Sequence, residues 1–304
     1  MIKNRERVNL LFHPDDDHNL IFQQWLNRDE AINSQVVFTT NNIELQTQFA
    51  IVNKNWILSD FLPQNMMFTH FNANFTRIDE IVPSIYKLSI SNNKKFVFSQ
   101  FLILDERPML IHTGRSNWFE QTYQLVSSVC DPSKLHYIAL CHLEADECGA
   151  LNQWLEAAPE AKTIVSPLNQ SNMDDFALRP TTVLKNNKAL SLGKRDIILI
   201  ETPHFPHGWE GCVFYQPQEE ILFCSDLAAH PGQFEEPVTE KDLTESIIKF
   251  QQKVGFMSEG KSFTRGIEAI EKLPIKYLAT MHGSIIHGES ISKLLSKMKR
   301  TFGS

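Results

Sequence analysis

From about residue 84 onward, short apolar runs alternate with longer stretches that are apolar every three or four positions. Residues 84–88, 96–104, 109–112, 135–141, 163–165, 189–192 and 196–201 read as strands. Residues 212–215 and 220–223 form a predicted hairpin turning at Gln216-Pro217-Gln218. Several of these runs are apolar at consecutive positions, which marks strands buried on both faces. Helical spacing covers residues 118–129, with Asn117 as the expected N-cap, and residues 150–157, ending before Pro159. It returns at 244–253, at 262–272 and in a C-terminal stripe of Ile291, Leu294, Leu295, Met298 and Phe302. Strands flanked by helices in this order predict an α/β fold with four layers, αβ/βα. The polar stretch 227–242, which contains His230, is expected to be a surface loop.

The first part of the chain is patterned separately. Residues 8–12, 35–39 and 56–60 read as strands, and 20–26 and 42–52 as helices, giving a βαβαβ run. The expected domains are residues 1–75 and 76–304. Asp15 and Asp16 follow the first strand, and Asp60 ends the third. This arrangement resembles the first half of a response-regulator receiver domain, in which such acidic residues hold magnesium and accept a phosphoryl group. Residues 61–80 leave no room for the remaining receiver strands. The segment is therefore expected to be a truncated receiver-like unit that docks or dimerises rather than one that is phosphorylated.

Candidate chemistry gathers at the ends of the later strands. His142-Leu143-Glu144-Ala145-Asp146-Glu147 follows the apolar run 135–141. An extended backbone would send His142, Glu144 and Asp146 to one side. One imidazole and two carboxylates suit iron or manganese before zinc. His207 follows the turn Thr202-Pro203-His204-Phe205-Pro206, Asp226 ends the run 220–225, and His282 ends the run 275–281. Polar residues at the tips of buried strands are common metal and catalytic groups.

These motifs, in this order, resemble the metallo-β-lactamase superfamily. The resemblance covers roughly residues 76–304. Hydrolases of that superfamily have His at the second place of the first motif, where this chain has Glu144. Glu there is similar to the flavodiiron proteins and to their flavodoxin-free relatives, the oxygen-binding di-iron proteins. The resemblance implies one iron on His142, Glu144 and His207, a second on Asp146 and His282, and Asp226 bridging them. Most flavodiiron proteins carry His where this chain has Glu147. That residue is left as a ligand of the second metal, a hydrogen-bond acceptor behind the ligands, or a bystander. His207 rather than His204 keeps the family's interval to the bridging Asp, and His204 then stands behind or beside the site.

The resemblance implies binding of dioxygen or nitric oxide, with the chain acting as a gas reductase or as an oxygen sensor with a signalling partner. Only 22 residues follow His282, so no FMN-binding flavodoxin domain is expected. A separate flavin or rubredoxin-type reductase would supply electrons, and a homodimer is expected. The alternative is a zinc- or manganese-dependent hydrolase.

Composition narrows the setting. Hydrophobic residues make up 42% of the 304 residues, enough for one large or two modest cores. No run approaches the ~18 apolar residues of a membrane span, and no signal-peptide pattern opens the chain. Five cysteines without a Cys-x-x-Cys pair suggest reduced thiols in the cytoplasm. The net charge of −7 argues against nucleic-acid binding.

Overall fold

The computed structural model describes residues 75–303, apart from 233 and 256, and the backbone of 7–11 and 35–39. The chain divides into two units, Met1–Asn72 and Ala73–Ser304. In the first, β1 (Arg7–Leu11) and β2 (Gln35–Thr39) pair in parallel, Arg7 opposite Gln35 through Leu11 opposite Thr39. Asp15, Asp16, Asp60, the third strand and both helices expected there lie outside the described residues.

The second unit is built on two seven-stranded sheets. One contains β3 (Phe75–Val82), β4 (Ile85–Ser91), β5 (Phe98–Ile103), β6 (Met109–Ile111), β7 (Tyr137–Ala139), β8 (Lys162–Val165) and β9 (Thr182–Val183), in that spatial order. The other contains β10 (Ala189–Ser191), β11 (Asp196–Glu201), β12 (Cys212–Gln216), β13 (Ile221–Phe223), β14 (Val238–Thr239), β15 (Tyr277–Ala279) and β16 (Ile285–His287). Its order is β10-β11-β12-β13-β15-β16-β14. The first sheet begins antiparallel and becomes parallel from the β6–β7 pair onward.

Side-chain alternation sorts each strand between two cores. Phe101, Ile103, Met109, Ile111 and Ala139 face the other sheet and meet Leu199, Phe214, Phe223 and Ala279. The intervening Leu102, Leu110 and Ile138 face outward onto Leu151, Trp154 and Leu155 of the helix Leu151–Ala157. On the second sheet, Val213, Leu222, Leu278 and Ile286 face outward onto the helices Thr244–Val254, Lys261–Ile270 and Ser290–Phe302. Helix, sheet, sheet and helix make the four layers. Both faces of the central strands are dry, which is why their sequences read as unbroken apolar runs. Each fully buried Leu or Phe contributes about 1.5–3 kcal/mol through burial.

Several local expectations are corrected. The helix expected from residue 118 is a 3-10 turn, Ser116–Trp118, followed by Phe119–Ser127, and Asn117 does not cap it. Strand β3 and the helix Gln170–Phe176 carry too weak a period to have been read from the sequence. The stretch 227–242 departs from a surface loop at its start and at the short strand Val238–Thr239. Residues 227–230 are buried, because Leu227, Ala228 and Ala229 pack inward and His230 follows them. No helix among the described residues is long and apolar enough to cross a membrane.

Candidate metal centre

Four chain segments reach one rim of the sandwich. His142 lies three residues beyond β7, His207 sits in the β11–β12 loop, Asp226 lies three residues beyond β13 and His282 three beyond β15. Leaving the sheet at its strand ends frees each side chain while the preceding residue stays locked in the core.

The first motif is not extended throughout. Glu144 is extended (φ −135°, ψ 148°), but a short helix, Ala145–Cys148, starts directly after it. The change from extended to helical backbone separates the acidic side chains. Glu144 joins His142, Asp146 turns toward His282, and Glu147 turns into the interior. The expectation of one extended loop missed this turn, because Ala145 at the helix start carries no capping signal.

His142 Nε2, His207 Nε2 and Glu144 Oε2 converge, at 3.0 Å between the rings and 3.0 and 3.1 Å from each ring to the carboxylate. Asp226 Oδ2 closes this group at 3.5 Å from His207 Nε2 and 3.8 Å from His142 Nε2. Its other oxygen, Oδ1, lies 3.2 Å from His282 Nε2, and Asp146 Oδ2 is 3.3 Å from the same nitrogen. The Asp226 carboxylate thus spans two donor groups, His142/Glu144/His207 and Asp146/His282. Asp226 Oδ1 is buried, with His282 Nε2 close by but not aligned as a hydrogen-bond donor.

Donor separations near 3 Å suit neighbouring ligands of an ion that binds nitrogen and oxygen at about 2.0–2.2 Å. Facing lone pairs and three carboxylates in a mostly buried site call for positive charge. The residues therefore fit a pair of cations. His204 is exposed, stands outside the group and turns the loop with left-handed backbone (φ 61°).

Residues behind the donors fix them. His282 Nδ1 donates to the Val97 carbonyl at 2.9 Å, which leaves Nε2 to face Asp146 and Asp226. Its ring stacks on Phe96 at 4.3 Å between centroids and meets the edge of Phe98. Glu210, buried, accepts from the Leu143 amide at 2.7 Å and so pins the first motif to the His207 loop. Gln251, on the helix Thr244–Val254, donates to the Asp226 and Leu227 carbonyls. None of these was marked by the sequence, because each acts through a contact between distant segments.

Without metal, protons take the cations' place. The His142 and His207 rings hold the Glu144 carboxyl far below its ordinary range. Burial works against a proton on His282, but Asp146 and Asp226 outweigh it and push the pKa up to about 10. His282 is thus protonated at pH 7, whereas a metal ligand must be a neutral imidazole. Loading the metal-free chain at pH 7 is therefore expected to release protons. Calorimetry in buffers of different ionisation enthalpy checks this, and a heat independent of buffer would refute it. The ordinary His value is near 6.5, and the folded value is raised above it. The His282 pair therefore stabilises the metal-free chain fully below about pH 6.5, and this contribution is lost as pH rises through about 10.

Comparison with known proteins places this geometry. The "Flavo-diiron protein FprA2" of Clostridium acetobutylicum is 24% identical over 201 residues, 64% of this chain and 50% of that protein. The "Nitric oxide reductase" of Moorella thermoacetica is 26% identical over 211 residues, 65% of this chain and 51% of that protein. The "Rubredoxin-oxygen oxidoreductase" of Megalodesulfovibrio gigas is 31% identical over 135 residues, 43% of this chain and 33% of that protein. The chain spans about half the length of the first two relatives and a third of the last. The solved rubredoxin oxygen:oxidoreductase from Desulfovibrio gigas superposes with a TM-score of 0.65 at 21% identity, covering 74% of this chain and 61% of its own. The flavodiiron protein of Giardia intestinalis superposes with a TM-score of 0.65 at 18% identity, covering 74% and 59%. The second unit therefore has the metallo-β-lactamase-like fold of the flavodiiron proteins. The family pattern described as "ODP family beta lactamase" matches residues 96–283, a stretch that contains all six converging side chains. The chain belongs to that family.

Proposed function

We propose that the second unit is a non-haem di-iron centre that binds dioxygen or nitric oxide and serves as a gas reductase. His142, Glu144 and His207 would hold one iron, Asp146 and His282 the other, with Asp226 between them. The observation that carries this reading is the Asp226 carboxylate, with one oxygen toward each donor group. Glu144, Asp146 and Asp226 supply the negative charge that keeps two ferrous ions bound. A ferrous pair supplies electrons and open positions for a diatomic gas. A carboxylate at 144, in place of an imidazole, suits iron better than the zinc-bound hydroxide of a hydrolase. Asp146 and His282 would give the second position fewer protein donors than the first. The names of the relatives, a nitric oxide reductase and a rubredoxin-oxygen oxidoreductase, support the same chemistry. Electrons come from a separate flavin or rubredoxin-type protein.

The test is anaerobic purification, metal counting by plasma mass spectrometry, and visible absorption before and after dioxygen is admitted. About two irons per chain and a new near-ultraviolet band are expected. Zinc with no spectral change would overturn the iron reading in favour of the hydrolase. Turnover with a supplied reductase supports reduction. A stable band without turnover would move the function to oxygen sensing.

A further inference from the structure

Behind the first donor group lies a buried network that does not converge on either donor group. Glu147 is fully buried, and its carboxylate meets His142, Ser225 and His112. Its Oε2 lies 3.1 Å from His142 Nδ1, the ring nitrogen opposite the converging Nε2. Its Oε1 accepts a hydrogen bond from Ser225 Oγ at 2.6 Å. Ser225 Oγ is in turn 3.2 Å from His142 Nδ1, so two oxygens face that one nitrogen. The carboxylate also receives the His142 backbone amide at 3.3 Å. The backbone carbonyl of Glu147 is held by the amide and hydroxyl of Thr113, at 2.6 and 2.8 Å.

Two further buried side chains complete the surroundings. His112 Nε2 lies 3.2 Å from Glu147 Oε2, a close pair that is not aligned as a hydrogen bond. His112 adopts left-handed backbone (φ 63°) and is fully buried. Cys141 completes a compact trio with His112 and Glu147. Burial pushes the Cys141 thiol well up, so it stays protonated and is a poor ligand for a third metal.

We propose that Glu147 is a positioning residue rather than a metal ligand. Its carboxylate, with Ser225, holds the proton of His142 on Nδ1 and so presents the lone pair of Nε2 to the first metal. A carboxylate behind a ligating imidazole fixes the ring and raises its basicity, and losing such a partner typically costs 10–100-fold in metal affinity. The Ser225 hydroxyl and the His142 amide donate to the carboxylate and so let it stay charged while buried. The inference rests on reading the cluster as a two-metal centre, but not on which gas it binds.

The experiment is ferrous-ion binding by anaerobic competition with a chromophoric chelator. Glu147→Gln is made in two backgrounds, His282→Ala, which leaves the first position, and His142→Ala, which leaves the second. The expected result is a loss of about 10–100-fold in affinity in the His282→Ala background and no change in the other. Ser225→Ala should give a smaller loss at the same position, and Glu147→Asp should recover part of the Gln loss. A loss in the His142→Ala background would make Glu147 a ligand of the second metal and overturn the proposal. An equal loss at both positions, accompanied by a lower melting temperature of the metal-free chain, would make the role one of packing alone. A third ion bound to the wild-type chain would assign the trio to metal instead. If the wild-type chain bound no ferrous ion, the two-metal reading itself would fail. Two ions in the wild-type chain with no effect of Glu147→Gln would sink only this inference.

Discussion

Asp226→Ala is expected to lose both metals, with the content of the purified chain falling from about two ions to close to none. The reason is the placement of one carboxylate between two donor groups. Oδ2 faces His142 and His207, and Oδ1 faces His282. Removing it takes a negative ligand from each position and leaves one carboxylate, Glu144 or Asp146, to balance each cation. The metal-free fold should survive, because Leu227 and Ala228 pack into the core beneath this turn and Gln251 holds its backbone. Circular dichroism of the metal-free variant should therefore match the wild-type chain. Metal at a thousand times its Kd adds about 4 kcal/mol to the stability of a protein that binds it only when folded. The variant should forfeit that gain, so added ferrous ion would no longer raise its melting temperature. Two tightly bound ions in Asp226→Ala would show that the carboxylate does not join the two groups.

The second large effect is expected at Gly283, directly after His282. Its backbone is left-handed (φ +99°), and an added Cβ would come within 2.6 Å of three ring atoms of His230. That ring cannot give way. It is buried, its Nδ1 donates to the Ala228 carbonyl at 2.8 Å, and its Nε2 accepts from the Ser284 amide at 3.0 Å. The Gly283 carbonyl is held by Lys87, a fully buried lysine whose pKa burial lowers to about 7. Forcing a side chain into left-handed backbone costs about 1–2 kcal/mol, and overpacking adds about 1–3 kcal/mol. For a unit of this size, Gly283→Ala should lower the melting temperature by roughly 5–15 °C. The strain falls on His282, so the variant should keep the ion on His142, Glu144 and His207 and lose the other. Calorimetric melting with metal counting checks both parts. A wild-type melting temperature with two ions would show that the turn is looser than its contacts imply.

The six converging residues could be named from the sequence because each sits where an apolar run stops. Such runs are recognisable at a distance, since residues such as those of β7 and β13 are buried on both faces and cannot be polar. The elements that were missed or misplaced lack that constraint. Asn117 looked like a cap but the chain enters its helix through a 3-10 turn. The stretch with His230 looked polar, yet its apolar residues point inward and carry the histidine into the interior. Glu147 could not be assigned from spacing at all. One turn of helix after Glu144 decides whether its side chain faces Asp146's partners or His142's back.

The sequence by itself determined the four-layer order, the strand ends that carry the donors and the carboxylate at position 144. These follow from local periodicity and from residue chemistry, both of which are written along the chain. Only the tertiary structure decided that Asp226 lies between two groups, that His207 and not His204 joins them, and that Glu147, Ser225 and His112 stand behind His142. Many of the contacts join distant segments, with His142 and His207 65 residues apart and Glu147 and Ser225 78, brought together by the packing of two sheets and by the backbone turns that leave them.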